Sequence, residues 1–155
     1  TSLSLLFHHL CHLYTAPQQQ SFIEDLYSTA KVFEKKGDIE TARTCYQLSA
    51  KKSLRVPAHL SIAKGYQREK NINEAITLYQ QMIDEKSGGL YPYIQLSKLL
   101  EHKKKDLPAA LKITEQGLRY ATDLLAFSSV AVQNENNDLQ YRYMRLLRKS
   151  NRKHC

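Results

Sequence analysis

Three histidines and a cysteine fall within eight positions near the N-terminus, in FHHLCHLY at residues 7 to 14. His8 and His12 stand four apart, the spacing that puts two imidazoles on one helix face, and Cys11 lies within reach of the same turn, so the chemistry in question is metal ligation. A structural zinc site takes four ligands and a catalytic one three. His59 and His102 are isolated along the chain, and His154 adjoins Cys155 at the C-terminal end, so no second cluster completes the set. On a helix over residues 2 to 14, Leu3, Leu6, Phe7, Leu10, Leu13 and Tyr14 share one face, and that stripe is expected to be core. His8 and His12 then point away from it, solvated or against a neighbouring domain, and Leu5, also off the stripe, favours the neighbour. The expectation is no metal and no cofactor.

Other catalytic signatures are missing as well: there is no HExxH pair, phosphate loop, nucleophile elbow or glycine-rich dinucleotide turn. A non-enzymatic chain is expected. Cys11, Cys45 and Cys155 are odd in number and widely spaced, without a CxxC, which fits reduced thiols. No apolar run reaches the roughly 18 to 20 residues of a membrane span, and no signal peptide is recognisable, so the expected location is the cytoplasm.

The elements that must position any binding site are helices. With five glycines and four prolines in 155 residues, the chain reads as helical throughout, broken at TAPQQQ, KKGD, KSLRVP, KSGG, KKKDLP and QNENN. Slid against itself at a single constant offset, the chain places Ala30 on Ala63, Phe33 on Tyr66, Ile39 on Ile72, Ala42 on Ala75 and Tyr46 on Tyr79. A third copy follows, with Tyr93, Ser97 and Leu100 in its first helix and Leu107, Ala110 and Leu118 in its second, the second helix being set back by an extra residue in HKKKD. A period of about 34 residues is that of a helix-pair repeat. Small residues recur where two helices cross and aromatics recur beside them, so each helix pair buries its face by stacking on the next. Gly37 is placed to end a helix in the left-handed conformation and Asp38 to cap the next, while Ser21-x-x-Glu24 and Asn71-x-x-Glu74 have capping-box spacing. Lys70 where Gly37 stood, and Gly117 at an alanine-like position, imply less regular packing in the later units.

FEKKGDIETARTCYQLSAKK and YQREKNINEAITLYQQMI resemble tetratricopeptide repeats. The resemblance implies an all-α fold, a right-handed α-solenoid of about three helix pairs. The expected organisation is a single domain over 1–155: a leading helix and linker (1–20), repeats at 21–55, 56–90 and 91–121, and a basic pair of capping helices within 122–155, read as about 123–133 and 138–152. A narrower resemblance covers most of the chain. TSLSLLFHHLCHLY, then repeats, then YIQLSKLLEHKKKDLPAALKITEQGL and YMRLLRKSNRK, is similar in order to the C-terminal half of bacterial proteins that begin with a ribonuclease-H-like exonuclease domain of the DEDD type. That likeness implies catalytic carboxylates upstream of Thr1, an upstream nuclease domain packing on the first helix, and no catalytic residue in this sequence.

Two binding surfaces follow. Lys31, Lys64 and Lys98 occupy equivalent positions in successive units, so stacking would align them as a ladder on the concave face, with Tyr27, Leu60 and Ile94 supplying apolar contact. Such a ladder suits an acidic peptide or a nucleic-acid backbone. Asparagines of the kind that clamp a chaperone's terminal carboxylates are not at these positions. The second surface is the C-terminal tail, where Arg142, Arg145, Arg148, Lys149, Arg152 and Lys153 stand against one acid, Asp138, and carry +5 of the formal net charge of +8. These cations could neutralise phosphates of single-stranded nucleic acid, or form the solvated face of a capping helix. The accessory domain of an exonuclease and a peptide-binding adaptor both remain open at this point.

Overall fold

The computed structural model describes residues 2–16, 22–125 and 130–152. They form eight α-helices: α1 (Ser2–Thr15), α2 (Ile23–Lys36), α3 (Ile39–Ser49), α4 (Arg55–Arg68), α5 (Ile72–Asp84), α6 (Tyr91–Leu99), α7 (Leu107–Leu125) and α8 (Val130–Arg152). Among the described residues there is no strand, and no helix is long and apolar enough to cross a membrane. The chain divides into two compact units, Thr1–Asn71 and Ile72–Cys155, so the boundary falls in the turn between α4 and α5.

In the first unit α2 packs on α3 and α3 on α4. The small residues of the repeat lie at these crossings: Ala30, Ala42 and Ala63 are buried, and Tyr46 fills the space beside them. In the second unit α5 packs on α6, α6 on α7 and α7 on α8, with Ala75, Tyr79, Ser97 and Ala110 buried at equivalent positions. Serine at 97 is accommodated because its hydroxyl has partners: Thr114 Oγ1 at 2.8 Å and the Ala110 carbonyl at 3.3 Å. A buried hydroxyl without them would cost about 1 to 3 kcal/mol.

One turn chemistry recurs at three helix ends. Gly37 adopts φ +86°, its N–H donates to the Glu34 carbonyl and the Asp38 N–H to that of Phe33. Lys70 (φ +64°) and Lys86 (φ +50°) reproduce this geometry, with Asn71 N–H donating to Tyr66 and Ser87 N–H to Met82. The lysine at 70 therefore does not loosen its turn; the two backbone hydrogen bonds hold it in the left-handed region. Asp38 Oδ1 accepts from the Thr41 N–H at 3.1 Å and Asp106 Oδ1 from the Ala109 N–H at 3.0 Å, so both carboxylates are N-caps. The capping box expected at Ser21 is not how α2 begins, since Phe22 occupies the cap position without a side-chain cap bond, and Ser21 lies outside the described residues. The Asn71 side chain donates back to Glu69 at 3.3 Å.

The extra residue in HKKKD is absorbed as a π-helical turn, Leu100–Lys104, that continues α6 and ends at Lys105 in the left-handed region. Single-residue insertions into helices commonly take this form. Gly117 marks a close approach rather than loose packing: a Cβ there would stand 2.9 Å from Tyr93 Cβ and 3.1 Å from Leu139 Cδ1.

Two further expectations are corrected. The capping pair is one helix: residues 123–125 end α7, and the QNENN segment lies inside α8, where Asn136 is buried. Asparagine costs a helix only about 0.7 kcal/mol relative to alanine, whereas burying Leu139 and Leu146 on that helix gains about 1.5 to 3 kcal/mol each. The described part of the α1 stripe is not core either, with Leu3 77% and Phe7 70% exposed and Leu6 and Leu10 exposed beside them, while the side chains of Leu13 and Tyr14 lie outside what is described. Helix α1 meets α2 through another face: His9 Nε2 lies 2.9 Å from Asp25 Oδ2, and its ring meets Phe22 edge-on at 5.7 Å.

Candidate functional site

The first unit contains a cleft of about 450 Å³ lined by Lys31, Glu34 and Lys35 of α2, Tyr46 of α3, and Ser61, Lys64 and Arg68 of α4. Lys31 and Lys35, like Lys64 and Arg68, are four apart on their helices and so share a face. Four cations thus line a cleft whose one carboxylate is Glu34. That carboxylate is already engaged: Tyr46 Oη donates to Oε2 at 2.7 Å, and the Arg68 guanidinium donates to Oε1. Burial works to raise the Glu34 carboxyl, but the Tyr46 and Arg68 hydrogen bonds and the charges of Arg68 and Lys64 outweigh it and hold it below its ordinary value. Burial, followed by the bond to Glu34, pushes the Tyr46 hydroxyl far above the usual phenol range, so it remains a donor at all physiological pH. Tyr27 packs on Tyr46 with ring centroids 5.4 Å apart, and Lys31 Nζ sits 4.6 Å above the Tyr27 ring. Tyr46 and Glu34 thus line the cleft together with the four cations, and Tyr27 stands beside it.

Of the six groove residues read from the repeat, Lys31 and Lys64 are brought together at this cleft, and Tyr27 adjoins it through Lys31 and Tyr46. Leu60 lies half-buried on α4, outside the lining. Lys98 is half-buried on α6 of the second unit. Ile94 is 4% exposed and belongs to that unit's core, so it is not available for ligand contact. Lys35 and Arg68 escape the repeat comparison, although their spacing of four from Lys31 and Lys64 is the signal that places them there.

The tail cations are arranged around a second carboxylate. Glu101, on the π-turn, has a side chain only 2% exposed. It accepts from Arg142 at 3.1 Å, from Arg145, and from Lys149 at 2.6 Å, while His102 Nε2 lies 3.4 Å away. Burial favours the neutral acid, but the Lys149 hydrogen bond and the charges of Arg145, His102 and Lys149 win and keep the carboxyl below its ordinary value. Arg142 is itself buried, its Nε without a hydrogen-bond partner among the described residues, so it lies in the buried stripe of α8 rather than on a solvated basic face. Arg148 and Arg152 are exposed, and Lys153 lies outside the described residues. Glu34 and Glu101 stand at equivalent repeat positions, and each is met by cations from a later helix of its own unit.

His8 and His12 pack edge to face at 4.7 Å. Among the described residues no group of three or more His, Cys, Asp or Glu side chains stands close enough to hold a metal. Cys11 is exposed, and burial, with the charge of Asp38, pushes the Cys45 thiol up and away from reactivity.

A family model described as tetratricopeptide repeat matches residues 23–51, which covers α2, α3 and the start of the turn after them. No curated protein sequence matches the chain. The matched pair, with the all-α packing of successive helices, supports a tetratricopeptide-type helical-repeat domain, a class that mediates protein–protein interaction.

Proposed function

We propose that the chain is a non-catalytic protein-interaction module, working in the reducing cytoplasm, whose first unit takes an acidic extended segment of a partner protein in the cleft between α2 and α4. The observation that carries this reading is the charge imbalance of the cleft: Lys31, Lys35, Lys64 and Arg68 face one carboxylate, Glu34, which already accepts from Tyr46 and Arg68. Acidic side chains entering the cleft would complement the rim, and Tyr27 offers an apolar and aromatic surface beside it. Titration of the chain with a fluorescein-labelled peptide rich in Asp and Glu, at moderate salt, tests this. Saturable binding that falls at least tenfold in Lys31→Glu/Lys64→Glu is expected; unchanged binding in that variant contradicts the site.

A second reading is favoured by the exposed stripe of α1. In it the chain is the accessory part of a ribonuclease-H-like exonuclease: an upstream domain covers Leu3, Leu6, Phe7 and Leu10, and the tail helps to hold single-stranded nucleic acid. With Arg142 and Arg145 held on Glu101, the exposed Arg148 and Arg152 would carry most of the phosphate contacts. This reading expects oligonucleotide binding that weakens steeply with salt and with Arg148→Ala/Arg152→Ala, and absence of any binding at low salt rejects it.

A further inference from the structure

The Glu101 cluster holds more positive charge than its carboxylate neutralises, and the excess faces open space. Glu101 Oε2 receives both Arg142 and Arg145, which already exceeds its single negative charge. Lys149 is the third cation on it, half-exposed, and donates one of its three N–H groups to Oε1. Asp138 also draws on Arg142. Beyond Lys149 opens a cleft of about 330 Å³ lined by Glu101, His102, Lys105, Leu107, Lys149 and Arg152. One wall is the π-turn and the left-handed residue that ends it, carrying His102 and Lys105; the other is the last turns of α8, where Lys149 and Arg152 stand three apart on one face. Among the described residues Lys105 and Arg152 pair with no carboxylate, and Glu101 is the only acid in the lining.

We propose that this cleft binds a phosphate monoester group. Lys105, Lys149 and Arg152 present three positive charges from two facing elements, and a dianion matches that charge better than a single carboxylate does. A tetrahedral oxyanion can also accept from both walls at once, taking the planar fork of Arg152 and the ammonium groups of Lys105 and Lys149, with His102 beside them. Glu101 holds Arg142 and Arg145 on Oε2 and Lys149 on Oε1, which leaves two N–H groups of Lys149 for a ligand in the cleft it lines. The site lies wholly within the second unit and differs from the carboxylate-binding groove proposed above in residues and in ligand, so either can fail without the other.

Nuclear magnetic resonance titration of the full chain at constant ionic strength tests the proposal, with inorganic phosphate in one arm and a phosphoserine peptide with its unphosphorylated form in another. Saturable shifts at His102, Lys105, Lys149 and Arg152 are expected, with affinity reduced at least tenfold in Lys105→Gln/Arg152→Gln and unchanged in Arg119→Gln, an exposed α7 cation paired with Glu115. Lys105 and Arg152 are exposed, and removing them relieves like-charge repulsion, so an unchanged or raised Tm shows that the variant folds. A phosphopeptide bound at least tenfold tighter than phosphate, with no binding of its unphosphorylated form, identifies a modified partner side chain as the source. Comparable affinities identify a free phosphate compound. Non-saturable shifts, an unaffected double variant, or a single-stranded oligonucleotide bound in this cleft more tightly than either probe would overturn the proposal.

Discussion

Lys149 near the end of α8 donates to Glu101 on the π-turn after α6 at 2.6 Å, across 48 residues of sequence. With Arg142 and Arg145 on the same carboxylate, the pair ties α8 to the turn after α6, so the basic tail helix is held by a buried acid of its own unit.

Removing that acid leaves three cations facing one another. Glu101→Gln is expected to lower stability by about 3 to 5 kcal/mol, the usual cost of stranding buried charge. Lys149→Ala leaves the two arginines in place and removes a half-exposed partner, so a loss under about 1 kcal/mol is expected. Urea denaturation of both variants distinguishes them, and equal effects contradict the arrangement.

The same carboxylate predicts an acid limb. Its folded pKa is depressed from 4.5 on balance, because the hydrogen bond from Lys149 and the nearby cations outweigh burial. A depressed carboxyl contributes stability above its unfolded value, and that contribution is lost as pH falls through the lower folded value. Glu34 has the same direction of shift and acts in the same window. Wild-type stability should therefore fall more steeply below pH 4.5 than that of Glu101→Gln, as read from thermal melts across pH 3 to 6.

Left-handed lysines are a reserve of stability. Lys70→Gly and Lys86→Gly keep the two turn hydrogen bonds and relieve a conformation that costs a side-chain-bearing residue about 1 to 2 kcal/mol, offset by the greater freedom of glycine when unfolded. Each substitution should raise stability by about 0.5 to 1 kcal/mol. A drop in Tm for either would mean that the lysine side chain contributes more than its backbone costs.

Gly117→Ala should act in the opposite direction. Alanine gains about 1 kcal/mol in helix propensity, but its Cβ would lie 2.9 Å from Tyr93 Cβ, an atom fixed to the α6 backbone. Overpacking of this kind costs about 1 to 3 kcal/mol, so a net loss of about 1 kcal/mol is expected in chemical denaturation.

How far sequence reaches into this fold depends on the range of the interaction. The constant repeat offset picks out Ala30, Ala63, Ala42, Ala75, Tyr46 and Tyr79, all of them buried, because close helix crossings demand small residues at fixed intervals. It also brings Lys31 and Lys64 to one cleft. It cannot tell that α1 turns His9 rather than Leu3 and Phe7 toward α2, since an apolar stripe states what needs covering and not what covers it. QNENN reads as a break because asparagine favours turns locally, whereas burial of Leu139 and Leu146 on α8 overrides that preference. Arg142 looks like part of a solvated stripe because its partner, Glu101, lies 41 residues away and follows no period.

The central claim is that the cleft between α2 and α4 is the partner-binding site, and amide chemical-shift mapping during titration with an acidic peptide tests it most directly. Saturable perturbations confined to Tyr27, Lys31, Lys35, Ser61, Lys64 and Arg68, abolished by Lys31→Glu/Lys64→Glu, are predicted. Perturbations that instead fall on the exposed α1 stripe or on Arg148 and Arg152, leaving the cleft unmoved, would contradict it.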